Sequence, residues 1–266
     1  MTSEQSVYSN DLAGVVVGDT AISDVRGEEG LLSYRGIDVN DLVGVPYLHV
    51  VWMVLFGDWP NEQEKSRLKA FMCKHSRLTH AEIDLLRQVE RDLHPMLMLQ
   101  GLTPLLRLPQ EDSLGRGLAA EQGLFMAAKI TGLVAAHHRL GQSKAILQPI
   151  PGKLFHENFL TMFRGSAPAA EQVRMLDAAQ ILQMEHSFNC GTFAGRVCAS
   201  TLAPIQSCIS ASIGTLFGRL HGGANMRVMR MLEEIGEVEK ADAVVDAILD
   251  KPKGRVMGFG HRVYKV

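Results

Sequence analysis

Once the chain passes Asp38 it never returns to strand periodicity, and no other feature limits its fold as much. Residues 117–140 form one long, largely apolar stretch without a proline. A helix apolar over most of its surface has to be enclosed by other helices. The fold class is therefore mainly α, with a minor β element at the start.

The remaining helices are marked by their start and stop residues. Val50, Val51, Leu55 and Phe56 make a buried helix stopped by Gly57 and Trp59-Pro60, and Asn61 then caps a polar helix through Phe71. Thr79 followed by Glu82 has the capping-box spacing for a helix over residues 79–89. His94-Pro95 opens a Met- and Leu-rich segment, residues 96–102, expected to bury most of its surface. Further helices are expected at residues 155–163, 169–184 and 193–217, the last broken at Pro204. Val228, Met231, Leu232 and Ile235 line one face of another over residues 226–235.

Strand character is confined to residues 12–34: Gly14-Val-Val-Val-Gly18, Thr20-Ala-Ile-Ser-Asp-Val25, a Gly27-Glu-Glu-Gly30 turn and Leu31-Leu-Ser-Tyr34. A small hairpin or meander is expected there. Residues 141–153, with two prolines and two glycines, read as a linker.

Across 266 residues, 27 Lys+Arg against 29 Asp+Glu leave a net charge of −2, so no overall basic field favours nucleic acid. Cys73, Cys190, Cys198 and Cys208 lack both C-x-x-C spacing and nearby metal-ligand histidines, which argues for free thiols and no metal. The N-terminus has no secretory pattern and no apolar run approaches a membrane span. A cytoplasmic protein without a membrane partner is expected.

Three histidines have unusual neighbours. Leu220-His221-Gly222-Gly223-Ala224-Asn225 puts His221 at a helix start, where free N–H groups and the helix dipole favour a neutral imidazole. The glycines let a ligand approach the backbone. A solvated histidine in a glycine turn is the competing possibility. Glu185-His186-Ser187-Phe188-Asn189 closes the 169–184 helix, where His186 and Asn189 can share a helical face and clamp a carboxylate. His186 can equally just complement the helix C-terminus. Arg196 is left to pair with Glu185 or with a ligand.

The third histidine lies in residues 251–266, which carry Lys251, Lys253, Arg255, Arg262 and Lys265 and no acidic residue. There Gly258-Phe259-Gly260 admits close backbone approach to a flat or phosphorylated ligand, and His261 offers a donor. An exposed basic terminus is the alternative. His137-His138, whose side chains diverge by about 100° on a helix, read as a solvated helix end and not as a metal pair.

Taken in order, these motifs resemble the citrate synthase family. The resemblance runs through Gly18-Asp-Thr-Ala-Ile-Ser23, Leu32-Ser-Tyr-Arg-Gly-Ile37, Phe56-Gly57 with Pro60 and His94-Pro95-Met96. It continues through Thr192-Phe193, Arg196-Val197, Ala199-Ser-Thr201, His221-Gly-Gly-Ala-Asn225 and Gly258-Phe-Gly-His-Arg-Val-Tyr-Lys265.

The resemblance implies a two-domain, nearly all-helical homodimer with its active site between the domains. Residues 1–220, with the β hairpin at about 12–34, would form the large domain and residues 221–266 the start of the small one. It implies an acyltransferase of the tricarboxylic acid cycle that condenses acetyl-CoA with oxaloacetate to citrate and CoA. No cofactor is implied, because acetyl-CoA is a substrate. His221 and His261 are the implied catalytic residues: His221 hydrogen-bonds the enolate formed when an Asp removes a methyl proton, and His261 polarises the oxaloacetate carbonyl. His186, Asn189, Arg196, Gly222, Gly223 and Asn225 would bind substrate. Lys253, Arg255, Val256, Met257, Gly258, Phe259 and Gly260 would meet CoA.

The chain also departs from the family pattern. Glu185-His-Ser-Phe-Asn-Cys-Gly191 stands where Asp-His-Glu-Leu-Asn-Ala-Ser is common, so Ser187 replaces a carboxylate, and Met226 replaces a usual Glu. The sequence stops at Val266, before the family's catalytic Asp region and further substrate arginines, so residues 1–266 by themselves are expected to be catalytically incomplete. A 2-methylcitrate synthase acting on propionyl-CoA, or a non-catalytic relative that binds a ligand or partner, are the alternatives.

Overall fold

A computed structural model describes residues 16–109, 113–218, 223–261 and 263–265. Three short strands, β1 (Ser23–Arg26), β2 (Leu31–Tyr34) and β3 (Ile37–Asp38), form an antiparallel sheet in the order β1-β2-β3. Ser23 pairs with Tyr34, and Tyr34 with Ile37, with residues 27–30 as the expected turn. The strand expected at Gly14-Val-Val-Val-Gly18 does not form over residues 16–18, and Gly14 and Val15 lie outside the described residues. β1 is also shorter than expected. The Ile22 carbonyl still accepts from Arg35 N at 2.7 Å, but Arg35 (φ +52°) and Gly36 (φ +83°) then turn the chain from β2 into β3, so residues further upstream meet no partner there.

Twelve α-helices follow among the described residues. They are α1 (Val39–Leu42), α2 (Tyr47–Phe56), α3 (Glu62–Ser76), α4 (His80–Gln88), α5 (Pro95–Leu102) and α6 (Leu118–Gly141), then α7 (Phe155–Arg164), α8 (Ala170–Leu182), α9 (Cys190–Ala199), α10 (Ile205–Phe217), α11 (Ala224–Ile235) and α12 (Ala241–Leu249). Gly57, in the left-handed region at φ +83°, ends α2 as expected. Both reciprocal caps form, Asn61 with Glu64 and Thr79 with Glu82. α3 runs on to Ser76 because Met72 and His75 extend the buried face set by Leu68 and Phe71. Pro204 separates α9 from α10, and α9 starts three residues ahead of Phe193 because Asn189 caps it.

α6 is the enclosed helix. It packs against α3, α4, α5, α7 and α10 around Leu124, Met126, Ala128 and Leu133. Gly132 lies against the Ser76 carbonyl, where a Cβ would overlap the oxygen, so α3 and α6 approach more closely than side chains allow. A second cluster joins the sheet to α1, α2 and α8 through Tyr34, Leu42, Val50, Met53 and Ile181. Tyr34 is fully buried and its hydroxyl donates to the Ile181 carbonyl at 2.9 Å.

Three expectations are corrected. Residues 141–153 are not a free linker. The Gln148 side chain accepts from Leu78 N at 3.1 Å and donates to Leu78 O at 3.0 Å, while Asn158 bonds both backbone groups of Ile150. The prolines and glycines stop helix formation; Asn158 of α7 then satisfies the backbone of the segment at Ile150, and Gln148 ties the segment to the backbone of Leu78. His137 and His138 are not solvated either: His137 is buried with Nε2 3.0 Å from Leu93 O, and His138 stacks on Phe163 at 3.7 Å. Neighbouring segments close over that end of α6. In α5, Met98 and Leu99 are buried, but Leu97 faces solvent.

All four cysteines are free thiols, and no helix among the described residues is long and apolar enough to cross a membrane.

Candidate active site

His186 does not finish a helix. α8 stops at Leu182 and residues 183–189 form a loop, so His186 and Asn189 share no helical face. The cause is local: Asn189 is extended and its Oδ1 accepts from Thr192 N at 3.0 Å, which starts α9 afresh. Ser187 adopts φ +58°, an uncommon conformation for a residue with a Cβ.

The N-terminal sheet holds this loop. Ser187 N donates to Ser23 Oγ at 3.1 Å, and Glu185 N donates to the Tyr34 hydroxyl at 3.4 Å. The Glu185 carboxylate accepts from Ser187 N at 2.5 Å. Arg196, left open between Glu185 and a ligand, is exposed and lies over the Phe188 ring at 4.7 Å.

The Gly-Phe-Gly loop comes to the same place from the far end of the chain. Gly258 at φ +90° and Gly260 at φ +77° use a backbone region that favours glycine, and a Cβ on Gly258 would press on Val228 of α11. Phe259 between them is 79% exposed. The loop brings the His261 ring to 5.4 Å from the His186 ring, edge to face. Tyr264 completes the group, with its hydroxyl 3.0 Å from His186 Nε2 and its ring 4.8 Å from that of His261.

The segment after His261 is seated on the β1–β2 turn. Lys265 N donates to Gly27 O at 2.9 Å, and a Cβ on Gly27 would overlap the Val263 carbonyl. Within this turn His261 Nδ1 accepts from Val263 N at 3.1 Å and from Tyr264 N at 3.3 Å. A nitrogen that accepts carries no proton, so neutral His261 keeps its proton on Nε2, free to donate outward. Beside it an open cavity of about 860 Å³ is lined by Val245, Leu249, Arg255, Val256, Phe259, Gly260, His261 and Lys265.

Burial pushes His186 below its usual value near 6.5, and the neighbouring His261 adds to this. The group is therefore neutral at pH 7. Since the unfolded chain takes up this proton more readily, the contribution of His186 is constant above its unfolded value near 6.5 and is lost progressively as pH falls from there through its lower folded value. Urea midpoints at pH 7.5 and pH 5.5 should thus fall on acidification, and fall less in His186→Gln. An equal fall in both proteins would show that His186 is not the group responsible.

The other expected site residues are scattered or partly seen. Arg255, Val256, Phe259 and Gly260 line the cavity; Met257 and Gly258 belong to the same loop without lining it, and Lys253 is exposed at φ +63°. Gly223 is the N-cap of α11, and Asn225 is exposed in its first turn. His221, Gly222 and Arg262 lie outside the described residues. Tyr264 was not among the expected site residues. Its only signal in the sequence is a phenol three residues beyond His261 in the same motif. No group of three or more His, Cys, Asp or Glu able to hold a metal occurs among the described residues.

The family model "Citrate synthase, C-terminal domain" matches residues 11–266. Citrate synthase 2 of Bacillus subtilis is 36% identical over 258 residues, which are 96% of this chain and 68% of that protein. The 2-methylcitrate synthase of Mycobacterium tuberculosis is 34% identical over 263 residues, 98% of this chain and 67% of that protein. The ternary complex of citrate synthase from Thermoplasma acidophilum with carboxymethyl coenzyme A and oxaloacetate superposes with a TM-score of 0.83 at 26% identity. That match covers 95% of this chain and 67% of that one. With a family match over nearly its whole length and an arrangement that joins the His186 and His261 motifs, the chain belongs to the citrate synthase family.

Proposed function

We propose that this protein condenses acetyl-CoA with oxaloacetate, as an acyltransferase of the citrate synthase type. The observation that carries this function is the meeting of His186 and His261 at a basic, glycine-turned loop beside an open cavity. The Asp of the family pattern takes a proton from the thioester methyl group, the resulting carbon attacks the keto carbon of oxaloacetate, whose oxygen becomes a hydroxyl, and water cleaves the thioester to release CoA. His261, with its proton on Nε2, donates to the keto oxygen as charge develops there. His186, neutral and half-buried, binds the same substrate, with Asn189, Arg196 and the Gly223–Asn225 turn as further binding groups. His221 hydrogen-bonds the enolate.

Lys253 and Arg255 stand on the loop that would receive CoA phosphates, and both are exposed. Exposed charges are screened by salt. The affinity for CoA should therefore fall between low and high ionic strength, as read by titration calorimetry. A salt-independent affinity would remove these residues from the phosphate contact.

Propionyl-CoA is the second thioester to consider, because 2-methylcitrate synthases match this chain about as closely as citrate synthases do. One extra methyl group in an apolar pocket is worth only about 1–3 kcal/mol. Rates of oxaloacetate-dependent thiol release from the two thioesters, measured side by side, decide between them. Faster release from propionyl-CoA would replace acetyl-CoA as the assigned substrate. A cytoplasmic homodimer completes the proposal, with exposed Met175, Val197 and Leu202 as apolar residues that association can cover.

A further inference from the structure

We propose that Tyr264 is a positioning residue for His186, and that Tyr264, with Val263, fixes the proton-bearing nitrogen of both histidines, in opposite senses. The Tyr264 hydroxyl and His186 Nε2 are 3.0 Å apart. Burial keeps the phenol protonated and the imidazole neutral. Between two such groups O–H···N is the stronger direction, because the phenol is the more acidic donor and the imidazole nitrogen the better acceptor, so the hydroxyl donates and Nε2 accepts. A neutral imidazole that accepts through Nε2 carries its proton on Nδ1. His261 is set the other way, because its Nδ1 accepts from Val263 N and Tyr264 N.

Tyr264 is itself held. Its ring packs against His261 at 4.8 Å and stands edge-on to His186 at 5.5 Å. The next residue, Lys265, donates its N–H to Gly27 O, and Val263 lies against Gly27 where no Cβ fits. Ser23, on the strand that leads into the same turn, accepts from Ser187 N beside His186. One small sheet thus sets the distance between the phenol and the imidazole from both sides. The consequence is specific: Tyr264 selects which nitrogen of His186 can donate to a ligand, without touching that ligand. This rests on the assignment of His186 to oxaloacetate binding.

The test is Tyr264→Phe, which keeps the ring contacts and removes only the hydroxyl. Imidazole nitrogen-15 NMR at pH 7.5 should show His186 protonated on Nδ1 in the parent protein and on Nε2, or on both in exchange, in the variant. The His261 signals should stay in place, which also reports that the fold is intact. Oxaloacetate affinity should fall about 3- to 10-fold, the usual loss of one hydrogen bond. In a His186→Ala background the same change should cost less than about 2-fold, because the two groups act as one unit. An unchanged His186 tautomer in Tyr264→Phe, or the same loss of affinity in the His186→Ala background, overturns the proposal. If the parent protein does not bind oxaloacetate, the functional assignment fails, while the nitrogen signals still decide whether Tyr264 sets the tautomer.

Discussion

Lys129→Ala should lower the free energy of unfolding by about 3–5 kcal/mol, the usual cost of stripping one partner from a buried ion pair. Lys129 rises from the middle of α6, and its ammonium donates to Glu82 Oε2 at 2.7 Å and to Arg77 O at 2.8 Å. The two side chains are 5% and 12% exposed. Glu82 also accepts from Thr79 N at 2.7 Å, so the same carboxylate caps α4 and pins that cap to the enclosed helix. Without Lys129 the carboxylate is left desolvated with one backbone donor. Glu82→Gln should cost less, since an amide oxygen can still accept from Thr79 N and from the Lys129 ammonium, which also keeps the Arg77 carbonyl. Urea unfolding of the three proteins checks the order. A loss below about 1 kcal/mol for Lys129→Ala would mean that water reaches the pair and screens it.

His221→Ala should lower kcat by two to three orders of magnitude, about the loss measured when an oxyanion donor is removed elsewhere. His221 stands two residues before Gly223, the N-cap of α11. Free N–H groups at that helix start disfavour a second positive charge and favour a neutral donor. A neutral donor stabilises an enolate more than it stabilises the uncharged thioester, so the loss falls on kcat. His186→Ala should instead raise the KM for oxaloacetate. A His221→Ala enzyme with unchanged kcat and raised KM would place His221 in ground-state binding only.

Where structure depends on neighbours in sequence, the sequence was legible. The reciprocal caps at Asn61 and Thr79, the stop at Gly57 and the break at Pro204 each rest on residues within one turn of one another. What failed depends on contacts between distant segments. His137 reads as solvated because nothing near it in sequence announces that Leu93 O will close over it, 44 positions away. Residues 141–153 carry every mark of a linker, yet Gln148 finds the backbone of Leu78 and Asn158 finds that of Ile150. The helical face expected to carry His186 and Asn189 fails for a different reason: Asn189 serves as the N-cap of α9, which leaves both residues in the loop after α8. The pairing of His186 with His261 has no local signal and came only through the family resemblance. Tyr264 carries no local signal either, because a phenol beside a basic loop has no periodicity that marks a contact with His186.

Condensation is read most simply as oxaloacetate-dependent release of CoA thiol from acetyl-CoA. In a form that carries the catalytic Asp, thiol should be released only when oxaloacetate is present, with His221→Ala and His261→Ala each reducing the rate at least tenfold. Thiol release that ignores oxaloacetate, or that survives both substitutions undiminished, would contradict it.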